Sequence, residues 1–375
     1  MAFIKKKANK NESYYMASQW TLMGRKLKKH KLAKLSLLIL GILYLGVIFS
    51  GFIAPYGLED YDKLYQNTAP TKIRFYHEGE FIGPFVYSLE KYNNPETFRV
   101  EITEDTSEYY KLKFFTKGVK YKILGLFESD IHLFGTDVGS NGSTSGKVML
   151  FGSDQLGRDI FSRILYGSQI SLTIPFASAA ISFVLGITIG SISGYFGGVI
   201  DNIIQRIIEV LGSIPSIPLW MAMSAAIPAG LSTVKMYLLI TIILSLINWC
   251  GIARVVRGKF MSLKNEDYVM AARIAGVNDA VIILRHLVPG FLSYLIVSIT
   301  LSIPSSIIGE TSMSFLGLGI RSPATSWGVL LDETKNIANF SQYPWKMIPL
   351  FFVILAVLAF NFLGDGLRDA ADPYK

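Results

Sequence analysis

The chain has little of what soluble enzymes work with. Its 375 residues include one cysteine and four histidines, and only 17% of them are charged. A single Cys250 excludes intrachain disulfides, so no region is stapled by its own bridges. His30, His77, His132 and His286 are scattered and give no metal-ligand spacing. No nucleophile elbow or other catalytic constellation is present, so no catalytic or metal-ligating residue is assigned. One string, NGSTSGKV at 141–148, approaches a phosphate-binding loop. It places Asn141 where the first glycine belongs and Val148 where a magnesium-binding Ser or Thr belongs, and it is rejected. The chain is therefore expected to bind no nucleotide or other cofactor. If it moves anything uphill, a partner supplies the energy.

What the chain does have is apolar length. Hydrophobic residues make up 51% of it and the mean hydropathy is +0.39, the composition of a membrane protein. Apolar runs fall at about 35–54, 170–194, 211–231, 236–256, 291–309 and 346–364. At 1.5 Å per residue, roughly 20 residues cover the ~30 Å hydrocarbon core. Six spans are predicted, the boundary near 194–211 being the least defined. Residues 1–34 carry ten Lys or Arg against the single acid Glu12, so the N-terminus is placed in the cytoplasm. Six spans then put the C-terminus inside too, in a multi-pass protein of a cell (cytoplasmic) membrane. The net charge of +8 needs no nucleic acid, since the positive excess lies in flanks that face anionic lipid.

Between the first two runs lies an insert of about a hundred residues. Stretches such as ETFRVEI and YYKLKFFTKGVKYKI mix alternating and aromatic patterns typical of strands. A small β-rich domain is predicted outside the cell, followed by a Gly/Ser-rich connector at 139–146. The expected division is a basic cytoplasmic region at 1–34, the first span at 35–54 and the insert at 55–150. A core of five spans follows at 151–364, including a cytoplasmic loop at 257–290, and then a tail at 365–375.

That loop contains NEDYVMAARIAGVNDAVIILRHLVP at 265–289, too polar for lipid yet wedged between two spans. It reads as a helix-turn-helix. Asn265 can cap the first helix, with Glu266 and Asp267 in its opening turn; Gly276 can supply a left-handed turn, and Asn278 can cap the second helix before Pro289. Met270, Ala271 and Ile274 share a face, and small Ala271 and Ala272 allow another surface to approach closely. The segment resembles the EAA loop, or coupling helix, by which permeases of ABC importers dock on their ATPases. Ala271, Ala272, Gly276 and Pro289 match that pattern, while Met270 stands where Glu is usual, His286 where Ile is usual and Val288 where Leu is usual.

A second motif narrows the resemblance. FGSDQLGRDIFSRILYGSQISL at 151–172 resembles the signature of the oligopeptide, dipeptide and nickel branch, with Asp154, Gly157, Arg158, Asp159, Ser162 and Arg163 in place. Ser153 replaces Thr and Gln169 replaces Arg. Together with the NFLGDGLRDAADP ending it looks like the C-type permease subunit of an oligopeptide or dipeptide importer. The resemblance implies an all-α type I importer permease with six transmembrane helices and the β-rich insert. It also implies a second permease as heterodimer partner, two ABC ATPase subunits that use ATP and magnesium, and an extracellular solute-binding protein delivering peptide. The insert is expected to meet that binding protein. Oligopeptides are favoured; dipeptides, nickel and, from another class, a secondary transporter remain as alternatives.

Three further features bear on mechanics. Pro175, Pro215, Pro218, Pro228 and Pro304 remove backbone donors inside or at the edge of spans. Gly186, Gly190 and Gly194 form a small-residue ridge that suits either a subunit interface or packing within the chain. Glu310, at the outer end of the fifth span, is a pore-mouth candidate that reads as structurally paired.

Overall fold

The computed structural model describes residues 19–372, apart from 94, 96–99, 124, 140–145, 229, 322 and 337–340. Most of the basic N-terminal stretch lies outside the described residues, as do residues 140–145 of the Gly/Ser-rich connector and with them most of the phosphate-loop-like string at 141–148.

Two helices open the chain, α1 (Gln19–Lys29) and α2 (Lys31–Ile48), with a short extension α3 (Ser50–Ile53). The long apolar runs become α4 (Ile160–Phe196), α7 (Thr233–Leu263), α10 (Leu292–Phe315) and α12 (Ile348–Ala371). Between α4 and α7 come α5 (Gly198–Ser213) and α6 (Ser216–Ala225), bent by 87° at their junction. Pro215 sits at that break and removes a backbone donor there. Among the described residues five helices are long and apolar enough to cross a membrane, or six if the bent pair forms one broken span. The irregular pair falls at the boundary that the sequence defined least. Pro175 and Pro304 lie inside α4 and α10.

The glycine ridge is settled by packing. A Cβ on Gly186, Gly190 or Gly194 would stand 2.5–2.7 Å from Ile252, Ala253, Arg257 or Phe260 of α7. These glycines let α4 and α7 approach within this chain, so the subunit-interface reading gives way to internal packing. A core of Leu40, Ile164, Leu172, Ile307, Trp327 and Phe360 joins α2, α4, α10 and α12. Helix α11 (Trp327–Asp332) supplies its tryptophan.

The insert forms a four-stranded antiparallel meander: β1 (Arg74–His77), β2 (Glu80–Asn93), β3 (Val100–Ile123) and β4 (Phe127–Gly139). Val86 pairs with Tyr110, and Phe114 with Phe134. The strand-like patterns in the sequence fall largely on β3. One side of the sheet, with Val86, Leu89 and Tyr110, packs on Tyr65, Val148 and Met149 from the segments that enter and leave it, while Phe85 packs with His77, Tyr87 and Tyr109. Val148 and Lys147 donate their backbone N–H groups to the hydroxyls of Tyr56 and Tyr65, at 2.7 and 2.8 Å, fastening the sheet to its own base.

Candidate functional site

Following the direction of the helices, the sheet stands at one end of the bundle and the 265–289 loop at the other. The described N-terminal helices share the loop's end with the last turn of α12. Lys26 donates to the Asp372 carbonyl at 2.7 Å, and His30 lies 3.7 Å from Asp369.

The loop folds as the sequence suggests, with one correction. Helix α8 (Asp267–Ile274) starts behind Glu266, not behind an Asn265 cap, and no side chain caps it. Gly276 has φ +76°, and the N–H of Val277 returns to the Ala272 carbonyl at 3.1 Å, closing the helix through a left-handed turn. Asn278 caps the next helix, α9 (Asp279–Val281), by accepting from the Ala280 N–H at 2.9 Å. The chain continues through a π-helical turn at Ile282–Leu287 and a 3-10 turn, Val288–Phe291, that contains Pro289. Both are the looser or tighter windings typical of a helix under local constraint.

This knuckle has a buried side and an offered side. Val269, Ile282, Ile283 and Leu287 pack with Tyr195, Val256, Phe260 and Phe291 from the spans. On the other side Ile274 is 85% exposed, Leu284 66% and Met270 41%, with Ala271 also exposed and Ala272 half-buried. These apolar side chains stand out from a packed base. Asp267 is exposed in the first turn of α8, where its charge suits the helix dipole.

Polar contacts that sequence reasoning missed hold the knuckle still. Tyr195, at the end of α4, donates its hydroxyl to Asp279 at 2.5 Å, and the Arg273 guanidinium lies over the same ring, 5.2 Å from its centre. Arg257 of α7 grips Asp201 of α5 through two hydrogen bonds of 2.5 and 2.6 Å, while Ser193 donates to the same carboxylate at 2.5 Å. A fork of this kind is among the strongest side-chain contacts. The available signal was an Arg and an Asp set beside long apolar runs, positions where a charge needs a partner.

The signature residues gather at the sheet end, far from the knuckle. Asp154 is 2% exposed and accepts from the Leu156 and Arg158 N–H groups at 2.8 and 2.9 Å. It also accepts from Arg158 Nε at 2.6 Å and from Arg163 Nη1. Gly157, at φ +78°, lies against the Asp62 carbonyl where a Cβ would collide. Lys346 extends the cluster, 3.0 Å from Glu333 and 2.7 Å from the Asn67 side chain. This arrangement holds two segments together.

Asp159 caps α4 by accepting from the Ser162 N–H at 2.8 Å, and Ser162 Oγ accepts from the Tyr56 N–H at 3.3 Å. Burial pushes the Asp159 carboxyl up to about 6, against the hydrogen bonds from Ser162 that favour the anion. Because the folded value lies above the ordinary 3.8, the folded state holds the extra proton between pH ~4 and ~6, and stability falls as pH rises through that window. At one pH unit per 1.36 kcal/mol the cost at neutral pH is on the order of 3 kcal/mol. Asp159→Asn keeps a capping oxygen, so its melting temperature is expected to exceed the parent's at pH 7.5, with the gap closing near pH 4.5. Equal melting at both pH values would contradict this.

Glu310 is fully buried and accepts from Ser171 at 3.1 Å and Ser314 at 2.7 Å. Its partners here are hydroxyls. Ser171 in turn accepts from the Trp327 N–H at 3.0 Å, tying α4, α10 and α11. Among the described residues no group of three or more His, Cys, Asp or Glu could hold a metal ion.

Long apolar helices, five or six of them able to cross a membrane among the described residues, define a membrane-embedded component. Residues 186–374 match the binding-protein-dependent transport system inner membrane component, and the chain belongs to that family. Residues 18–70 match the N-terminal transmembrane domain of oligopeptide transport permease C. The sheet lies outside both segments. The chain is similar to the dipeptide transport system permease of Bacillus subtilis (strain 168), 41% identical over 60% of this chain and 68% of that one. It also resembles the oligopeptide transport system permease of the same organism, 38% identical over 60% and 71%. The glutathione transport system permease of Pectobacterium atrosepticum is 40% identical over 59% and 71%. The permease resemblance read from the two sequence motifs is borne out.

Proposed function

We propose that this chain is the C-type permease subunit of an ATP-driven peptide importer and forms half of the translocation pathway with a sister permease. The observation that carries this reading is the knuckle: an apolar face of Met270, Ala271, Ile274 and Leu284 on a base of Val269, Ile282 and Leu287. An ATPase subunit docks there, so that its closure on ATP is transmitted through α7, α10 and the Asp201–Arg257 fork to the spans. The knuckle and both termini then face the cytoplasm, and the sheet stands outside, where a solute-binding protein delivers substrate. On this reading residues 1–34 and 365–375 flank the bilayer on its inner side, 55–150 is the external insert and 151–364 the core. Peptides are the substrate class because relatives carrying dipeptides, oligopeptides and glutathione share the same core.

The test is reconstitution of the chain with a sister permease, two ATPases and the binding protein in liposomes. Uptake of labelled peptide is expected to require ATP hydrolysis, and an imposed proton or sodium gradient is not expected to replace it. Competition by dipeptides, longer peptides and glutathione then ranks the substrates. Peptide accumulation by this chain alone, driven by an ion gradient without ATP, would replace the importer reading with a secondary transporter.

A further inference from the structure

The β3–β4 hairpin extends well beyond the part of the sheet that β2 covers, since the last β2–β3 pair is Phe85 with Lys111 while β3 continues to Ile123. Its contacts with the spans follow a direction. Near its base the Phe134 ring lies 6.0 Å from Phe161 in the first turn of α4, and His132 lies 2.5 Å from the Ala54 carbonyl just above α3. At the level of the Thr116–His132 pair, Phe115 meets Phe52 with ring centres 6.2 Å apart, and Val119 lies 3.7 Å from where a Cβ on Gly57 would stand. Further toward the tip, Tyr121 covers Gly51, leaving no room for a Cβ, and comes within electrostatic reach of Tyr166 in the second turn of α4. Between the levels of His132 and Tyr121 the contact on the first segment passes from Ala54 to Gly51, and between Phe134 and Tyr121 the contact on α4 passes from Phe161 to Tyr166. Both sequences lead inward along the spans, so the hairpin descends toward the bilayer rather than rising away from it.

Two residues further on, about 7 Å of strand, come the tip residues. Leu126 is 77% exposed and Phe127 71%, and Phe114, Phe115, Val119 and Ile131 add to the uncovered apolar surface. Lys117 and Lys120 are exposed among them, and Lys122 pairs with Glu128 at 3.3 Å. The neighbouring helix α2 turns Leu35, Leu38, Ile42 and Leu45 outward, the side that faces lipid in a membrane component. Aromatic and aliphatic side chains interleaved with lysine are the chemistry of the headgroup layer, where rings sit at the boundary and ammonium groups reach phosphate.

We propose that the tip of the β3–β4 hairpin is a membrane anchor that seats Leu126 and Phe127 in the phospholipid headgroup layer beside α2. It would fix one end of the sheet relative to the bilayer while the opposite end stays on the bundle. The inference rests on the proposed orientation only in placing this layer on the outer leaflet.

A site-specific fluorophore tests it. In a Cys250→Ser background, an environment-sensitive dye is placed on Phe127→Cys, on Thr106→Cys near the far end of β3, and on Leu38→Cys on the lipid face of α2. The full chain, with its sister permease, is reconstituted in phosphatidylethanolamine and phosphatidylglycerol vesicles doped with lipids that carry a spin label high on the acyl chain. Quenching at 127 is expected to be several-fold stronger than at 106, with a blue-shifted emission, before any binding protein is added. Quenching at 38 but not at 127, with the dye at 127 open to aqueous iodide, would overturn the anchor and leave the permease reading intact. A blue shift at 127 that comes only on adding the binding protein would show a protein interface there and also overturn the proposal. Absence of quenching at 38 would count against the membrane placement of α2 as well.

Discussion

Ile274→Asp is expected to abolish ATP-driven uptake while leaving the chain folded. Ile274 is 85% exposed, so a carboxylate there costs the isolated subunit almost nothing; surface changes away from special features stay within about 0.5 kcal/mol. On the proposed docking the same side chain would be covered together with the exposed Met270, Ala271 and Leu284. Burying an unpaired charge at such a position costs at least about 2 kcal/mol, as apolar anchors at interfaces do. That corresponds to roughly thirty-fold weaker association. The ATPase subunits should therefore fail to copurify, and any ATP hydrolysis that remains should no longer depend on substrate. Gly276→Val provides the contrast. Nothing stands within 4 Å of its Cβ, so its effect comes only from a β-branched residue forced to φ +76°, about 1–2 kcal/mol. That variant should lower coupling by shifting α8 on its base, with partial rather than complete loss of uptake. Wild-type transport by Ile274→Asp would remove the knuckle from the docking role.

The knuckle was legible because its signals are local. A glycine that needs positive φ, an Asn cap and three apolar residues on one helical face lie within fifteen positions of each other. The cap at Asn265 was misplaced by one residue, the usual uncertainty at a helix end. The strands of the insert were legible as a class from aromatic and alternating residues. Their order was not, because register depends on pairings such as Val86 with Tyr110 that no local pattern encodes. The 87° break near Pro215 was visible only as a weak boundary, since a proline shows where a helix can break but not the angle it takes. Least legible were the long-range polar contacts. Arg257 with Asp201, and Lys346 with Asn67 and Glu333, join residues 56, 279 and 13 positions apart. Each reads alone as an ordinary flank charge. The signature at 154–163 was recognised by its spacing, but that spacing says nothing of purpose; the folded chain shows an anchorage between the sheet and α4.

That anchorage predicts the largest loss of stability from a single polar change. Asp154→Ala removes an acceptor that serves two backbone N–H groups and two guanidinium groups at once. Arg163 is then left buried, with Glu333 at 4.0 Å as its remaining acid and its Nε without a hydrogen-bond partner. Breaking a buried ion pair by deleting one member costs about 3–5 kcal/mol, because the other charge stays desolvated. The damage spreads through the backbone. The Asn67 N–H donates to the Asp154 carbonyl at 2.9 Å, and Ser153 bonds to Thr68, so the loop holds the chain on its way into the sheet. Trp345 ties the same loop to the last span by donating to the Ser153 carbonyl at 3.1 Å. Asp154→Ala should therefore melt well below the parent in detergent and expose the 54–72 segment to protease. Arg158→Gln should cost far less, since Asp154 keeps Arg163 and the glutamine amide can still donate. Removing a surface contact would not rank the two variants in this order, whereas a buried charge shared by two cations must. Equal melting of Asp154→Ala and Arg158→Gln would show that the cluster is not what fastens the sheet to the spans.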